Sequence, residues 1–162
     1  MAEVFLGIAG YRPRHVESGA DLSADERHRL QRLVGRELVA SWAVWDLGDD
    51  TWFVDAPVVL DFGDRLEVAA FKTHLCLSWN AIDVSEPLDW YGTPFELRWR
   101  RDPLPAVNAL LDRTVTAVAL LQERDAVHGL ALTAGNAYLE LYNALDELGA
   151  SNARGELAAV PL

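Results

Sequence analysis

The residues with the clearest capacity for chemistry alternate along one predicted strand: His74, Cys76, Ser78 and Asn80. Alternate residues of a strand point to the same face, so these side chains would form one row. A histidine two residues from a cysteine is one way to build a thiolate nucleophile. A single cysteine between two leucines, however, is more typical of a small buried hydrophobic residue. We therefore predict no catalytic residue and keep His74, Cys76 and Asn80, together with Asn143, as candidates for a pocket lining.

Potential metal ligands are scattered along the chain. The four histidines contain no pair four residues apart, and a single cysteine cannot form a Cys-x-x-Cys pair. The sequence also lacks a P-loop, a dinucleotide-binding glycine fingerprint and a Gly-x-Ser-x-Gly elbow. We therefore expect no metal site and no cofactor.

An acidic stretch runs through the first half of the chain. Its members are Asp46, Asp49, Asp50, Asp55, Asp61, Asp64 and Glu67, and Arg65 is the one cation among them. They lack the alternating spacing of a calcium loop, so solvated hairpin turns explain them better. Because a strongly negative surface attracts basic proteins, the six aspartates and the adjacent Trp45 form our candidate partner-binding surface.

The composition of the chain excludes several classes of binding partner. The chain has 162 residues, 14 basic against 25 acidic, a net charge of −11 and one cysteine. That charge argues against nucleic-acid binding, and a single cysteine excludes an internal disulfide. No apolar run approaches the ~20 residues that span a bilayer, so we expect no membrane partner. The acidic start Met1-Ala2-Glu3 does not resemble a secretory signal, and we expect a cytoplasmic protein.

Aromatic and cationic residues are unevenly placed. Of the six tryptophans, Trp42 and Trp45 cannot both face the same side of a regular strand, which leaves room for one at an exposed or contact position. Core filling remains the more typical role of any single tryptophan. Arg98, Arg100 and Arg101 form the one local positive group. Such a group can receive an anion, although solvation or pairing with nearby acids is the more common outcome.

Three short matches in the same order indicate an internal duplication. Residues 33–40 resemble residues 110–117, the pattern Val58, Leu60, Gly63 resembles Leu130, Leu132, Gly135, and the pentapeptide 79–83 resembles 142–146. The spacing gives the first copy about one extra strand. We place the copies at about 23–83 and 104–146, with a linker strand at 94–101 and a C-terminal tail at 150–162, in a single globular domain over residues 1–162.

Each copy is predicted to be a helix followed by a meander of strands. Ser23 and Glu26 form a capping box before the first helix, which Gly35 ends. The predicted strands of the two copies are 37–46, 52–62, 65–70, 74–80, 114–122, 127–134 and 137–142, and a short second helix covers 105–111. The strictly alternating segment 95–100 is an expected edge strand. The fold class is therefore α+β, mostly antiparallel sheet in two similar helix-plus-meander halves.

The repeated Asn80 and Asn143 have two interpretations. Each ends an extended run and precedes an aspartate three residues later, which favours helix N-caps over a pseudo-symmetric binding site. If the two asparagines are equivalent, the polar face of 74–80 corresponds to an apolar face of 137–142. Either a β-bulge corrects the register or the sheet is buried on both sides, and the sequence leaves both open.

These observations favour a non-catalytic acidic module that binds, and neutralises, a basic partner protein in the manner of an antitoxin. The alternative is a small-molecule binder or enzyme with its pocket between the two halves. A third possibility is a homodimer that pairs open sheet edges across a two-fold axis.

Overall fold

Two antiparallel sheets face each other across the main core. The computed structural model describes residues 4–162, so the acidic start at 1–3 lies outside them. A small hairpin comes first, made of β1 (Val4–Phe5) and β2 (Ile8–Ala9). The first sheet contains β3 (Arg14–Val16), β4 (Ala40–Asp46), β5 (Thr51–Trp52), β6 (Val58–Asp61), β7 (Arg65–Phe71), β8 (His74–Trp79) and β9 (Leu97–Arg101). The second sheet contains β10 (Ala117–Glu123), β11 (Ala126–Ala134), β12 (Ala137–Asn143), β13 (Leu148–Ser151) and β14 (Ala158–Pro161).

Each sheet contains a meander, β6-β7-β8 in the first and β10-β11-β12-β13 in the second, to which strands from elsewhere in the chain are added. The first sheet runs β3-β8-β7-β6-β4-β5, with β9 also paired to β4, and the second runs β13-β12-β11-β10-β14. All pairings between these strands are antiparallel. The expectation of a mostly antiparallel sheet is therefore confirmed.

Helices contribute little to the fold. Helix α1 (Ala24–Gln31) begins with the predicted capping box, in which Ser23 Oγ accepts from the Glu26 N–H and the Glu26 carboxylate accepts from the Ser23 N–H. Helix α2 (Pro105–Asn108) is a single turn with proline at its first position, shorter than predicted. Along residues 4–162, neither helix has the length and apolarity needed to cross a membrane.

Several predicted boundaries need correction. The predicted strand 52–62 is two strands, β5 and β6, because the chain turns between them at Val54 and Asp55, where the Ala56 N–H donates to the Phe53 carbonyl. The expected C-terminal tail is not a free tail. It contains the end of β13 and the whole of β14, which forms an edge of the second sheet by pairing with β10. The predicted strand 114–122 begins at Ala117, and before it Val115 accepts from the Gly35 N–H and donates to the Arg36 carbonyl.

The first sheet is buried on both faces. One face packs against the second sheet in a core that includes Leu75, Leu77 and Leu130. The other face, with Ala69 and Cys76, is covered by the N-terminal hairpin and by the segment after β8. The β7–β8 register is continuous from Leu66 opposite Trp79 to Phe71 opposite His74. Burial on both faces, and not a bulge, therefore explains the mixed pattern of β8.

The asparagines at 80 and 143 do not begin helices, so the N-cap prediction is wrong. Asn80 has a positive φ of 52°, and its side chain accepts from the Arg65 N–H. Asn143 ends β12 and accepts from the Asp146 N–H, which caps a turn and not a helix. Asn80 follows β8, whereas Asn143 ends the third strand of its own meander. The two asparagines therefore occupy different places in their sheets.

Candidate functional site

The side chains of His15, His74 and Cys76 meet at one edge of the first sheet, and we call them the histidine–cysteine cluster. His15 Nδ1 lies 2.9 Å from His74 Nε2 and 3.4 Å from Cys76 Sγ. The three potential ligand atoms all lie within 4.8 Å of one another. His15 of β3 sits directly opposite Cys76 of β8, and His74 is two residues earlier on the same face. The register of β3 and β8 therefore assembles the cluster.

Aromatic rings and one carboxylate surround this cluster. The Phe71 ring lies 5.4 Å from the His15 ring and 6.0 Å from the His74 ring, and the Phe5 ring is 5.6 Å from His15. The second nitrogen of His74, Nδ1, lies 3.7 Å from Glu17 Oε1. Burial lowers the pKa of His74, and the neighbouring His15 lowers it further. His74 is therefore a neutral imidazole near pH 7.

Cys76 is fully buried, which decides how its thiol behaves. Burial raises the pKa of the Cys76 thiol to about 12. Such a thiol is almost entirely protonated at pH 7, and the protein covers it from attack. The geometry therefore gives no support to a free nucleophile at this position.

The sequence contains little that would have identified His15. It lies far from His74 along the chain, in a three-residue strand that hydrophobic periodicity does not detect. The sequence did show that His74 and Cys76 share one face of a strand. It did not show which strand would lie beside them. Only the β3–β8 pairing supplies that partner.

The four predicted pocket residues do not line a common pocket. His74 and Cys76 come together, but Asn80 lies beyond the opposite end of β8 and donates to Asp64 Oδ1. Asn143 belongs to the second sheet, and its Nδ2 donates to the Lys72 and His74 carbonyl oxygens. Both asparagines are thus engaged in structural hydrogen bonds.

A buried carboxylate lies on the same face of the first sheet as Cys76. Glu67 of β7 is fully buried and accepts hydrogen bonds from the Ser78 hydroxyl and from the N–H groups of Ala81 and Ile82. These donors replace the water that the carboxylate loses on burial. Glu67 therefore attaches the segment after β8 to the sheet.

The acidic candidates divide into structural and exposed groups. Asp46 is buried and accepts from the Gly48 and Asp49 N–H groups in the β4–β5 turn. Asp61 forms an ion pair with Arg65, and both carboxylate oxygens of Asp64 accept hydrogen bonds from the Arg29 guanidinium. The exposed members are Asp49, Asp50 and Asp55. Burial raises the pKa of Asp55, and the nearby Glu147 and Asp146 raise it further.

Arginines cover three of the tryptophans. Arg100 stacks over the half-buried Trp45 at 4.7 Å, and the Trp45 indole N–H donates to Asp50. Trp42 lies under Arg65 and Arg101, and Trp79 lies under Arg29. Arg100 also reaches Asp50 at 4.0 Å. Two of the three arginines in the predicted positive group are therefore engaged in contacts within the protein.

An exposed apolar surface lies beside the β4–β5 turn, and we call it the aromatic face. Its exposed members are Leu47, Tyr91 and Phe95, at 38%, 59% and 49%. Phe53 joins them: its ring lies 5.6 Å from Phe95 and 4.8 Å from Trp90, which contacts Tyr91. A backbone bond from Leu47 N–H to the Glu96 carbonyl brings the turn and the 90–96 segment together.

Exposed acidic residues adjoin the aromatic face along the chain. The exposed acids next to it in the chain are Asp49, Asp50, Asp89 and Glu96. Arg98 is an exposed cation in the adjoining strand β9, opposite Trp45. Of the predicted partner-binding residues, Asp49 and Asp50 lie in the turn beside this surface. Trp45 packs against the core between the two sheets, whereas Trp90 packs against the opposite face of the first sheet. Sequence reasoning missed Tyr91 and Phe95 because they lie in an irregular segment without periodicity.

One cleft lies between the β7–β8 turn of the first sheet and the second sheet. It has a volume of about 360 Å³ and is lined by residues of the β7–β8 turn and of the second sheet, including Lys72, Thr73, His128 and Asn143. Asn143 is the one predicted pocket residue that contributes to it.

Comparisons of the chain with protein-family models, with curated proteins and with solved structures find no match.

Proposed function

We propose that this protein is a non-catalytic cytoplasmic module that binds and neutralises a basic partner protein through the aromatic face. The observation that supports this proposal best is the exposure of Tyr91 and Phe95 beside Leu47, within a border of acidic side chains. Large apolar side chains exposed together on a folded protein are typical of interaction sites. The function is that of an antitoxin-like protein that covers a basic surface of its partner.

The composition of the aromatic face suits an interface core. Interface cores are enriched in aromatic residues and depleted of charge, while their rims are polar. Here the Phe53 ring contacts the rings of both Trp90 and Phe95, so the anchor is already ordered before a partner arrives. A preordered anchor loses less side-chain entropy on binding.

The charge around the aromatic face specifies the partner. The rim carries Asp49, Asp50, Asp89 and Glu96, and the whole chain carries −11. Arg100 lies 4.0 Å from Asp50 and stacks over Trp45, so it offsets the charge of Asp50, and Asp49, Asp89 and Glu96 carry the negative charge beside the face. A protein with a positive surface around an apolar anchor is the complementary occupant, because opposite potentials steer association and exclude acidic partners.

The test compares capture by the wild type with capture by matched variants. We expect a double variant, Leu47→Ser with Phe95→Ser, to lose a partner that the wild type retains from a lysate of the source organism. The control is Val39→Ser, which alters a residue of similar exposure, 48%, next to the opposite end of β4. Asp49→Lys with Glu96→Lys should weaken the same complex and reduce its dependence on salt.

Three outcomes contradict this proposal. The first is an equal retention of the captured protein by the wild type and the Leu47/Phe95 variant. The second is a captured protein whose net charge is negative. The third is a homodimer in light scattering that dissociates in the Leu47/Phe95 variant, because the face would then bind a second copy of this chain.

A second candidate function is small-molecule binding in the cleft between the halves. The cleft joins both sheets and contains polar groups of Lys72, His128 and Asn143. A metabolite that raises the melting temperature of the wild type, but not of Asn143→Ala, would support this alternative. A ligand bound there stabilises the fold by mass action without involving the aromatic face.

We also infer that the two halves derive from a duplication. Residues 33–40 and 110–117 each lead into the first strand of a meander, β4 or β10. Gly63 and Gly135 both have a positive φ in the hairpin between the second and third strands. The two segments pair about Glu37 and Thr114, which the alignment makes equivalent. Superposing residues 58–71 on 130–143 together with 33–46 on 110–123 tests this, and unlike backbone paths would contradict it.

A further inference from the structure

We propose that the histidine–cysteine cluster is a zinc site, with His15 Nδ1, His74 Nε2 and Cys76 Sγ as its three protein ligands. This site is separate from the aromatic face and does not depend on the proposed function. It uses a cysteine and two histidines that the protein-binding proposal leaves without a role.

The spacing of the three atoms suits one ion. In a tetrahedral zinc site, usual bond lengths place two nitrogen ligands about 3.3 Å apart and a nitrogen and a sulfur about 3.6 Å apart. The corresponding separations here are 2.9 Å between the histidine nitrogens and 3.4 Å between His15 Nδ1 and Cys76 Sγ. The third separation, between His74 Nε2 and Cys76 Sγ, is within 4.8 Å. Shifts of a few tenths of an ångström in the first two separations, and of up to about 1 Å in the third, would admit the ion.

The supporting structure resembles the usual surroundings of a metal-binding histidine. Such a histidine commonly presents its second nitrogen to a carboxylate, which orients the ring and raises its basicity as a ligand. Glu17 Oε1 lies 3.7 Å from His74 Nδ1, the nitrogen that does not face the cluster. The rings of Phe5 and Phe71 restrict His15, and Phe71 also restricts His74. The β3–β8 pairing fixes the backbone under all three ligands.

The donor set selects the class of metal. Thiolate and imidazole ligands suit zinc and other ions of the later transition series, whereas magnesium and calcium require oxygen ligands. His15 is exposed, so an ion can enter from solvent. Among residues 4–162, three side chains supply the cluster, which leaves the fourth position for water. On binding, the Cys76 thiol gives its proton to solvent and its sulfur forms the bond to zinc.

The experiment titrates tag-free protein, stripped with a chelator, with zinc sulfate and measures bound metal by mass spectrometry under native conditions. We expect one zinc per chain in the wild type. His15→Ala and Cys76→Ser should each lower zinc affinity at least tenfold. His15 is exposed and serine is close in size to cysteine, so both variants should fold, as circular dichroism would verify. The control is His28→Ala, which removes an exposed helical histidine outside the cluster and should retain the wild-type affinity.

Cobalt provides a spectroscopic measurement at the same site. Co²⁺ added in place of zinc should give a thiolate-to-metal charge-transfer band that is absent from Cys76→Ser. Zinc affinity that is equal in the wild type, His15→Ala and Cys76→Ser overturns the proposal. So does stoichiometric binding of Cu⁺, but not of Zn²⁺, through the same three residues, because the site would then belong to copper.

Discussion

Glu67 shows how one buried charge can hold an irregular segment in place. A carboxylate inside a protein is tolerated when hydrogen-bond donors replace its water. Its donors are the Ser78 hydroxyl on the neighbouring strand and two backbone N–H groups, of Ala81 and Ile82. The segment that follows carries Trp90 and the exposed aromatic residues. The position of the aromatic face therefore depends on this contact.

Replacing Glu67 should measure the strength of that attachment. We expect Glu67→Ala to lower the free energy of unfolding by about 3 kcal/mol, because several donors lose their buried acceptor. Urea unfolding followed by tryptophan fluorescence gives the value. The exposed Glu86, replaced by alanine, should change it by less than about 0.5 kcal/mol. A Glu67→Ala protein as stable as the Glu86→Ala control would show that the network contributes nothing.

Helix α1 is attached to the first sheet by an ion pair. Arg29 donates to both oxygens of Asp64 in the β6–β7 turn, at 2.8 and 2.7 Å, and stacks over Trp79. The hydrogen bond from Arg29 lowers the pKa of Asp64 to about 2, from an ordinary value of 3.8. A lowered pKa means that the folded state favours the ionised carboxylate.

This ion pair predicts a pH-dependent effect of Asp64→Asn. The pair contributes its full stability above pH 3.8, and the contribution is lost as the pH falls from 3.8 towards 2. We expect the variant to melt about 2–4 °C below wild type at pH 7, since the pair is partly exposed. The difference should shrink below pH 3.8. The exposed Asp125→Asn is the control, and a difference that persists unchanged at pH 2.5 would contradict the assignment.

Strand β11 is the central strand of the second sheet and contains a glycine that packing requires. A Cβ at Gly129 would lie 2.7 Å from Leu121 Cδ1 and 2.8 Å from the Leu141 carbonyl oxygen. Both neighbours belong to strands paired with β11, and the carbonyl cannot move without disturbing the sheet. The register shift of β10 between Leu121 and Gln122 lies opposite this position.

Gly129→Ala should therefore destabilise the folded protein. We expect a loss of about 2 kcal/mol in the free energy of unfolding from overpacking, measured by chemical denaturation. Gly19→Ala is the comparison, because a Cβ there would come no closer than 3.5 Å to another side chain. If both variants lose the same stability, steric crowding at Gly129 is not the cause.

At the scale of the whole molecule, the C-terminal strand closes one side of the second sheet. Residues 158–161 of β14 pair with residues 119–122 of β10, and the Leu162 N–H donates to the Val118 carbonyl. The side chains of β14 are largely exposed. Backbone hydrogen bonds to β10, and not side-chain burial, therefore hold β14 in the sheet. Without β14, strand β10 would become an open edge, which is a risk for aggregation.

Removal of residues 153–162 tests this role. We expect a loss of about 3 kcal/mol, from several backbone hydrogen bonds and the contact of Leu162 with the core, together with self-association in light scattering. Val160→Ser keeps the backbone pairing and changes an exposed side chain, so it should leave both measurements near wild type. A truncated chain that remains monomeric and fully stable would restore the interpretation of this segment as a tail.

The amino-acid sequence determined the local structure well. The capping box at Ser23, the turn glycines Gly63 and Gly135, and the strand periodicity around β7, β8 and β12 depend on neighbours close in the chain. Those features therefore predicted an antiparallel meander with few helices. Where local preference was ambiguous, as at Asn80 and Asn143, a turn replaced the expected helix cap.

Only the tertiary structure decided which distant residues meet. The joining of His15 to Cys76 depends on the pairing of β3 with β8, and the aromatic face depends on contacts that join both ends of the 81–96 segment to the first sheet, from Glu67 to Ile82 and from Leu47 to Glu96. Neither contact has a sequence periodicity, because both join segments far apart in the chain or irregular in structure. Backbone propensities act over a few residues, whereas strand pairing and burial on a second face are properties of the whole packed chain.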